Sequence, residues 1–203
     1  MQRINSSFGH ARSDCQRASV RGFTLVELMI TLVVLGVVMA IGIPSFRNMI
    51  VSSRVTSNTN EIVTVLQEAR MEAIRRRARV VVCPTLNGST CSGGNWGYLL
   101  TFVDRDNSNQ AGAGEAVVRN TLLKVDGLTL VGSASISSDP RVWFNGDGLA
   151  GAGATAAPAR VAALRVCSDK LASPNSRVIS VNVSRVAVAP ENSPNCAAPA
   201  NPG

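Results

Sequence analysis

Arg21-Gly22-Phe23-Thr24-Leu25-Val26-Glu27-Leu28-Met29-Ile30 opens an apolar run that continues to Ile43, and the rest of the chain is read from it. Between Phe23 and Ile43 the only charged side chain in 21 residues is Glu27. An α-helix rises about 1.5 Å per residue, so this run is roughly 30 Å long, the thickness of a bilayer's hydrocarbon core. A basic polar segment precedes it, and a carboxylate sits one turn inside its start. A plain anchor has no need of that carboxylate. Glu27 is therefore the residue to explain.

Gly22-Phe23-Thr24-Leu25-Val26-Glu27, followed directly by a spanning run, resembles the processing site of type IV prepilins, the precursors of pilus and type II secretion pseudopilus subunits. The likeness covers the small residue before the cut, the Phe after it and the Glu at the fifth mature position. It implies cleavage between Gly22 and Phe23 by a membrane prepilin peptidase, with methylation of the new Phe23 amine. An uncleaved signal anchor is the alternative. A carboxylate at the bilayer centre costs about 2.5–3.5 kcal/mol on insertion scales, and less near the end of the span. After cleavage, the positive Phe23 amine of a neighbouring subunit displaced along a filament would meet Glu27. That attraction would draw subunits together out of lipid and set their stagger; the competing reading has Glu27 snorkelling at the interface.

The 203 residues comprise a leader (1–22), this span (23–43), an amphipathic continuation of the helix (44–78), a β domain (79–189) and an irregular tail (190–203). The part beyond the helix suffices for one small domain with its own core. Net charge is +7, but the leader holds Arg3, Arg12, Arg17 and Arg21 against Asp14, which leaves 16 bases and 12 acids, or +4. So small an excess does not by itself imply a nucleic-acid partner. The leader has no apolar core or Ala-x-Ala site of a secretory signal. Its arginines place the N-terminus in the cytoplasm and everything after Ile43 in the periplasm, making this a single-pass inner-membrane protein.

Past Cys15 of the leader, four cysteines remain: Cys83, Cys91, Cys167 and Cys196. Four allow three pairings. Proximity favours Cys83–Cys91, which leaves Cys167–Cys196 to pin the tail. Zinc is the rival, but His10 is the only histidine and no Cys-x-x-Cys occurs.

Gly36, Gly42 and Pro44 interrupt helix chemistry, and Pro44 predicts a kink where the helix leaves the bilayer. By the resemblance, Gly36 to Pro44 would bound a segment that loses helicity in the filament. From Ser45 to about Arg77, Val55, Thr59, Ile62, Leu66, Ala69 and Ala73 recur at helical spacing, with Thr59 the weak member. Glu61, Glu68 and Glu72 lie off that stripe. Arg75, Arg76, Arg77 and Arg79 form a dense basic run, either complementing the helix C-terminus or holding phosphates. Strand chemistry follows: Val80–Cys83, a second strand with Trp96, Tyr98, Leu100 and Phe102 alternating on one face, then 115–124, 128–131, 142–145, 161–167 and one run over 177–189. The pieces 104–114, 145–148 and 150–158 read as turns. The fold class is α+β: one long N-terminal helix packed on an antiparallel β domain of one or two sheets. The element order, with Cys83, Cys91, Trp96-Gly97-Tyr98, Phe102-Val103-Asp104 and Phe144-Asn145-Gly146, is similar to the GspH/FimT family of minor pilins and pseudopilins.

No catalytic residue, cofactor or metal is expected: beyond residue 10 there is no histidine for a Ser-His-Asp or Cys-His arrangement. Asp104, Asp106, Ser108 and Glu115 fall at the first, third, fifth and twelfth places of a calcium loop, but Asn109 stands where the turn glycine belongs. The expected reading is a polar hairpin loop. Some GspH/FimT members bind DNA for uptake through a terminal Gly-Arg-x-Arg. Here Ser184-Arg185-Val186-Ala187 lacks the first Gly and the second Arg, leaving Arg185 and Arg177 as candidate phosphate contacts. The expected function is a non-enzymatic subunit of a type IV pilus or type II pseudopilus, near its tip. Its expected partners are other minor and major pilins or pseudopilins, the prepilin peptidase/methyltransferase and inner-membrane lipid, with DNA as the alternative. A signal-anchored periplasmic binding domain is the remaining alternative.

Overall fold

The computed structural model describes residues 22–93, 95–112, 114–154 and 158–202. The expected leader, including Cys15 and its arginines, lies outside them apart from Gly22. Helix α1, Leu25–Arg76, keeps helical backbone through Gly36, Gly42 and Pro44. The chain divides into two units between Ile43 and Pro44. In the first, every described apolar side chain from Phe23 to Ile43 is exposed, and one helix here is long and apolar enough to cross a membrane. A helix apolar all round has no place in water by itself.

In the second unit the stripe on α1 is buried as its spacing predicts: Val55, Thr59, Ile62, Leu66, Ala69 and Ala73 are at most 3% exposed. Thr59 fits because its hydroxyl donates to the Val55 carbonyl at 2.7 Å, which removes the cost of burying it. The helix ends without glycine. Arg77 takes the left-handed conformation (φ 51°), its N–H donates to the Ile74 carbonyl, and the Ala78 N–H reaches back to the Ala73 carbonyl. This is the paired-bond helix stop usually made by Gly. Gly146 lies flat against it: a Cβ there would come within 2.7 Å of the Arg77 carbonyl carbon.

Among the described residues nine strands follow: β1 Arg79–Pro84, β2 Tyr98–Asp104, β3 Val117–Leu122, β4 Thr129–Gly132, β5 Val142–Phe144, β6 Ala150–Ala152, β7 Val161–Cys167, β8 Ser176–Asn182 and β9 Val186–Glu191. They form two antiparallel sheets, ordered β3-β2-β1-β5-β6 and β4-β7-β8-β9. Three differences from the sequence reading stand out. The run 177–189 is a hairpin of two strands, because the backbone turns between Asn182 and Arg185. β9 continues through Pro190 and Glu191, two residues into the expected tail. Ala150–Ala152, read as a turn, is a buried edge strand; Gly151 permits it, since a Cβ there would lie 2.1 Å from the Trp143 ring.

Helix stripe and sheets share one core, with Val80, Val82, Leu99, Val103, Val142 and Phe144 from the first sheet and Leu164, Val166, Ile179 and Val181 from the second. The opposite face of the first sheet is also buried. Val81, Cys83, Leu100, Phe102 and Trp143 form a smaller core there, with Cys91 and Ala111 from the flanking loops packed against it. Leu100 and Phe102 thus point away from the helix, whereas Trp96, assigned to their face from sequence, precedes β2 and joins the main core. Arg119 of β3 reaches across to α1, contacting Glu61 at 3.2 Å and Glu68 at 2.8 Å. All three side chains are about two-fifths exposed, so Arg119→Met is expected to cost only about 0.5–1 kcal/mol by urea denaturation. A loss above about 2 kcal/mol would mean that this clamp is much stronger than screened pairs of this kind.

Candidate functional site

The helix start is built by its own residues. Thr24 precedes the first helical turn, and its hydroxyl accepts the Glu27 N–H at 3.2 Å. Thr24-Leu25-Val26-Glu27 is the capping-box pattern, in which a hydroxyl residue caps the helix and an acid stands three positions on. That signal is legible in the sequence itself. It gives Glu27 a second favourable relation, a negative charge at the positive end of the helix dipole. Gly22 and Phe23 precede this cap in exposed chain outside the helix.

The basic run is divided among separate tasks. Arg75 contacts Glu72 through two bonds of 2.8 and 2.6 Å, and Arg76 closes on the same carboxylate. Hydrogen bonds from Arg75 and then Arg76 hold the Glu72 carboxyl down to about 2. Arg79 lies over the Trp143 ring at 4.4 Å and donates to Asn109 and Asn145. These contacts support the helix-terminus reading of the run. Arg177 and Arg185 do not come together. Arg177 is opposite Pro190, while Arg185 pairs with Asn182 at the other end of β8. Five residues of strand, about 17 Å, separate those positions. The hairpin tip docks instead on the helix, where Arg70 donates to the Ser184 carbonyl at 2.7 Å.

Asp104, Asp106 and Glu115 each bring a carboxylate oxygen within 4.8 Å of the others. Their oxygens serve the loop's own backbone. Asp104 accepts from the Ser108 and Asn109 N–H groups, Asp106 from Ser108, and Glu115 from Arg105 and Gly112. Burial pushes the Asp104 carboxyl up, opposed by the Asn109 N–H, while the Ser108 bonds draw Asp106 down. Asn109 adopts φ 58°, filling with an asparagine the left-handed position where a calcium loop uses glycine.

Cys83 is joined to Cys91 across the loop after β1, and Cys167 to Cys196 between β7 and the tail. The second bridge has a neighbour that sequence did not reveal. Arg165, 3% exposed in the middle of β7, donates to Ser193 and to the Ala197 carbonyl and pairs with Glu191 at 2.8 Å. Asn175 exchanges two 2.9 Å bonds with the backbone of Ser193. The tail is therefore fastened to the outer side of the second sheet. An arginine inside an apolar strand pattern was the available signal.

The comparisons agree with this architecture. The family model for type II transport protein GspH matches residues 58–186, and that for the prokaryotic N-terminal methylation motif matches residues 17–43. The type IV major fimbrial protein FimA of Dichelobacter nodosus is 32% identical over 87 residues, covering 41% of this chain and 56% of that protein. The chain thus spans about half the length of that relative. The crystal structure of the Pseudomonas aeruginosa type IV minor pilin FimU aligns with a TM-score of 0.50 at 17% identity, over 71% of this chain and 96% of that one. That likeness is one of fold.

Proposed function

The chain belongs to the type II transport protein GspH family, and from that premise we propose that it is a non-enzymatic minor pilin or pseudopilin, assembled near the tip of a type IV pilus or of the type II secretion pseudopilus. The observation that carries the reading is the methylation motif over 17–43 leading into a helix whose described apolar side chains up to Ile43 are all uncovered in the single chain. Such a surface needs lipid or the helices of other subunits, and a filament supplies the second after the bilayer has supplied the first. The subunit waits in the inner membrane with its N-terminus in the cytoplasm and residues beyond 43 in the periplasm. Prepilin peptidase cuts between Gly22 and Phe23, the Phe23 amine is methylated, and that amine meets Glu27 of a neighbouring pilin. DNA uptake draws less support, because Arg177 and Arg185 sit at opposite ends of the β8–β9 hairpin.

N-terminal sequencing of chain isolated from cells with an active peptidase is expected to begin at methylated Phe23; a chain beginning at Met1 sinks the reading. Glu27→Ala is expected to be inserted and cleaved but depleted from filaments roughly tenfold, the factor carried by about 1.4 kcal/mol of lost attraction. Glu27→Asp separates the two roles of this side chain, since it keeps the acid near the helix start but shortens its reach. Incorporation of Glu27→Ala at the normal level would leave the carboxylate with its favourable place at the helix dipole alone.

A further inference from the structure

Between α1 and the loop before β8 lies a cleft of about 390 Å³, lined by Asn48, Met49, Ser52, Leu171, Ser173, Pro174 and Arg177 among others. Arg177 shares the helix-facing side of β8 with Ile179 and Val181, which places its guanidinium at the cleft. It is half-buried, and among the described residues it has no hydrogen-bond or ion-pair partner. No acid lines the cleft. Glu191, beside Arg177's strand partner Pro190, is engaged by Arg165, and Asp169 lines a different concavity with Lys170. Arg47 and Arg54, seven residues apart and so on one flank of the helix, are exposed and likewise have no side-chain partner among the described residues. Helix α1 carries no acid between Glu27 and Glu61.

Position supplies the ligand. Asn48 follows the end of the apolar run, Ile43, by five residues, which is about 7.5 Å of helix and no more than about 18 Å of chain in any conformation. We infer that this cleft binds the phosphate of an anionic phospholipid headgroup, with Arg177 as the seated cation and Arg47 and Arg54 drawing the same surface charge from the flank. Asn48, Ser52 and Ser173 offer donors to phosphate oxygens, while Met49, Leu171 and Pro174 give the glycerol end apolar contact. A guanidinium with no carboxylate in reach is completed by such an anion. The site would hold the subunit's domain against the membrane surface before assembly. The inference rests on the membrane anchoring proposed above.

The test uses the full chain in nanodiscs of phosphatidylcholine with or without phosphatidylglycerol, with native mass spectrometry counting lipids retained on release. Wild type is expected to retain phosphatidylglycerol over phosphatidylcholine. Arg177→Gln should lower that retention about fivefold, the worth of roughly 1 kcal/mol per cation near an anionic surface, and Arg177→Lys should restore most of it. Should Arg177→Gln lose its near-UV circular dichroism, the exposed pair Arg47→Gln and Arg54→Gln is expected to give a fall of up to about 25-fold, about fivefold for each cation, in a folded chain. Equal retention of both lipids overturns the inference, as does unchanged retention in the folded variants. Displacement of phosphatidylglycerol by millimolar inorganic phosphate would assign the cleft to the free ion. Unchanged lipid retention together with loss of filament incorporation in Arg177→Gln would assign it to a subunit contact. A chain that never enters nanodiscs counts against the anchoring itself, a result distinct from all of these.

Discussion

Cutting the tail tether is expected to cost the domain a large share of its stability: Cys167→Ser with Cys196→Ser should lower the unfolding free energy by roughly 3–4 kcal/mol, given the loop this bridge closes. Arg165→Met should cost about 3 kcal/mol for a different reason. Its guanidinium is buried on β7 and satisfies Ser193 and the Ala197 carbonyl while pairing with Glu191. Removing it leaves the buried Ser193 without its donor and releases the tail at Glu191 and Ala197, which lie exposed. Both features hold the same segment against the same face of the second sheet. Their effects should therefore combine to less than their sum, since a tail already released by one change has little more to lose from the other. Urea midpoints of the four chains measure this directly. Strict additivity would mean that Ser193–Ala197 does not behave as one docked unit.

The second large effect lies on the other sheet. Phe102 is fully buried on the side of β2 that faces away from α1, against Val81, Leu100 and Trp143. Phe102→Ala is expected to destabilise by about 3–5 kcal/mol, comparable with a deletion in the main core. Leu122, 77% exposed on the neighbouring strand, provides the contrast: Leu122→Ala should change stability by no more than about 0.5 kcal/mol. If Phe102→Ala were as mild as Leu122→Ala, the small outer core would contribute nothing to stability, and β2 would be a one-sided strand.

Much of the helix could be read from residue spacing alone. A stripe at intervals of three and four positions can be buried by only one face, and the residues from Val55 to Ala73 occupy it. The hydroxyl at Thr59 looked like a flaw because its acceptor, the Val55 carbonyl, is backbone and leaves no trace in composition. The first β-strand was legible as a β-branched apolar run, and the span of β7 as a mostly apolar run between turns. β6 was not: Ala-Gly-Ala carries no strand propensity, and it is a strand only because Trp143 of β5 needs a neighbour without a side chain. The hairpin inside 177–189 was hidden because Val183 to Val186 continues the same valine-rich pattern through the turn. At the candidate site, the motif around Gly22, Phe23 and Glu27 could be read, whereas the isolation of Arg177 could not. Being without a partner depends on where every acid in the folded chain has gone.

By itself, then, the sequence determined what depends on neighbours along the chain: a charge-poor run long enough to span lipid, an acid one turn inside it, a processing motif before it and an amphipathic helix after it. The tertiary structure alone decided that the first sheet is buried on both faces, that Arg119 and Arg165 hold elements far apart in sequence, and that Arg177 faces a cleft without a carboxylate. The physical reason is range. Helix periodicity and capping are set within four residues, but burial on a second face and the pairing of a charge are set by segments that meet only when the chain has folded.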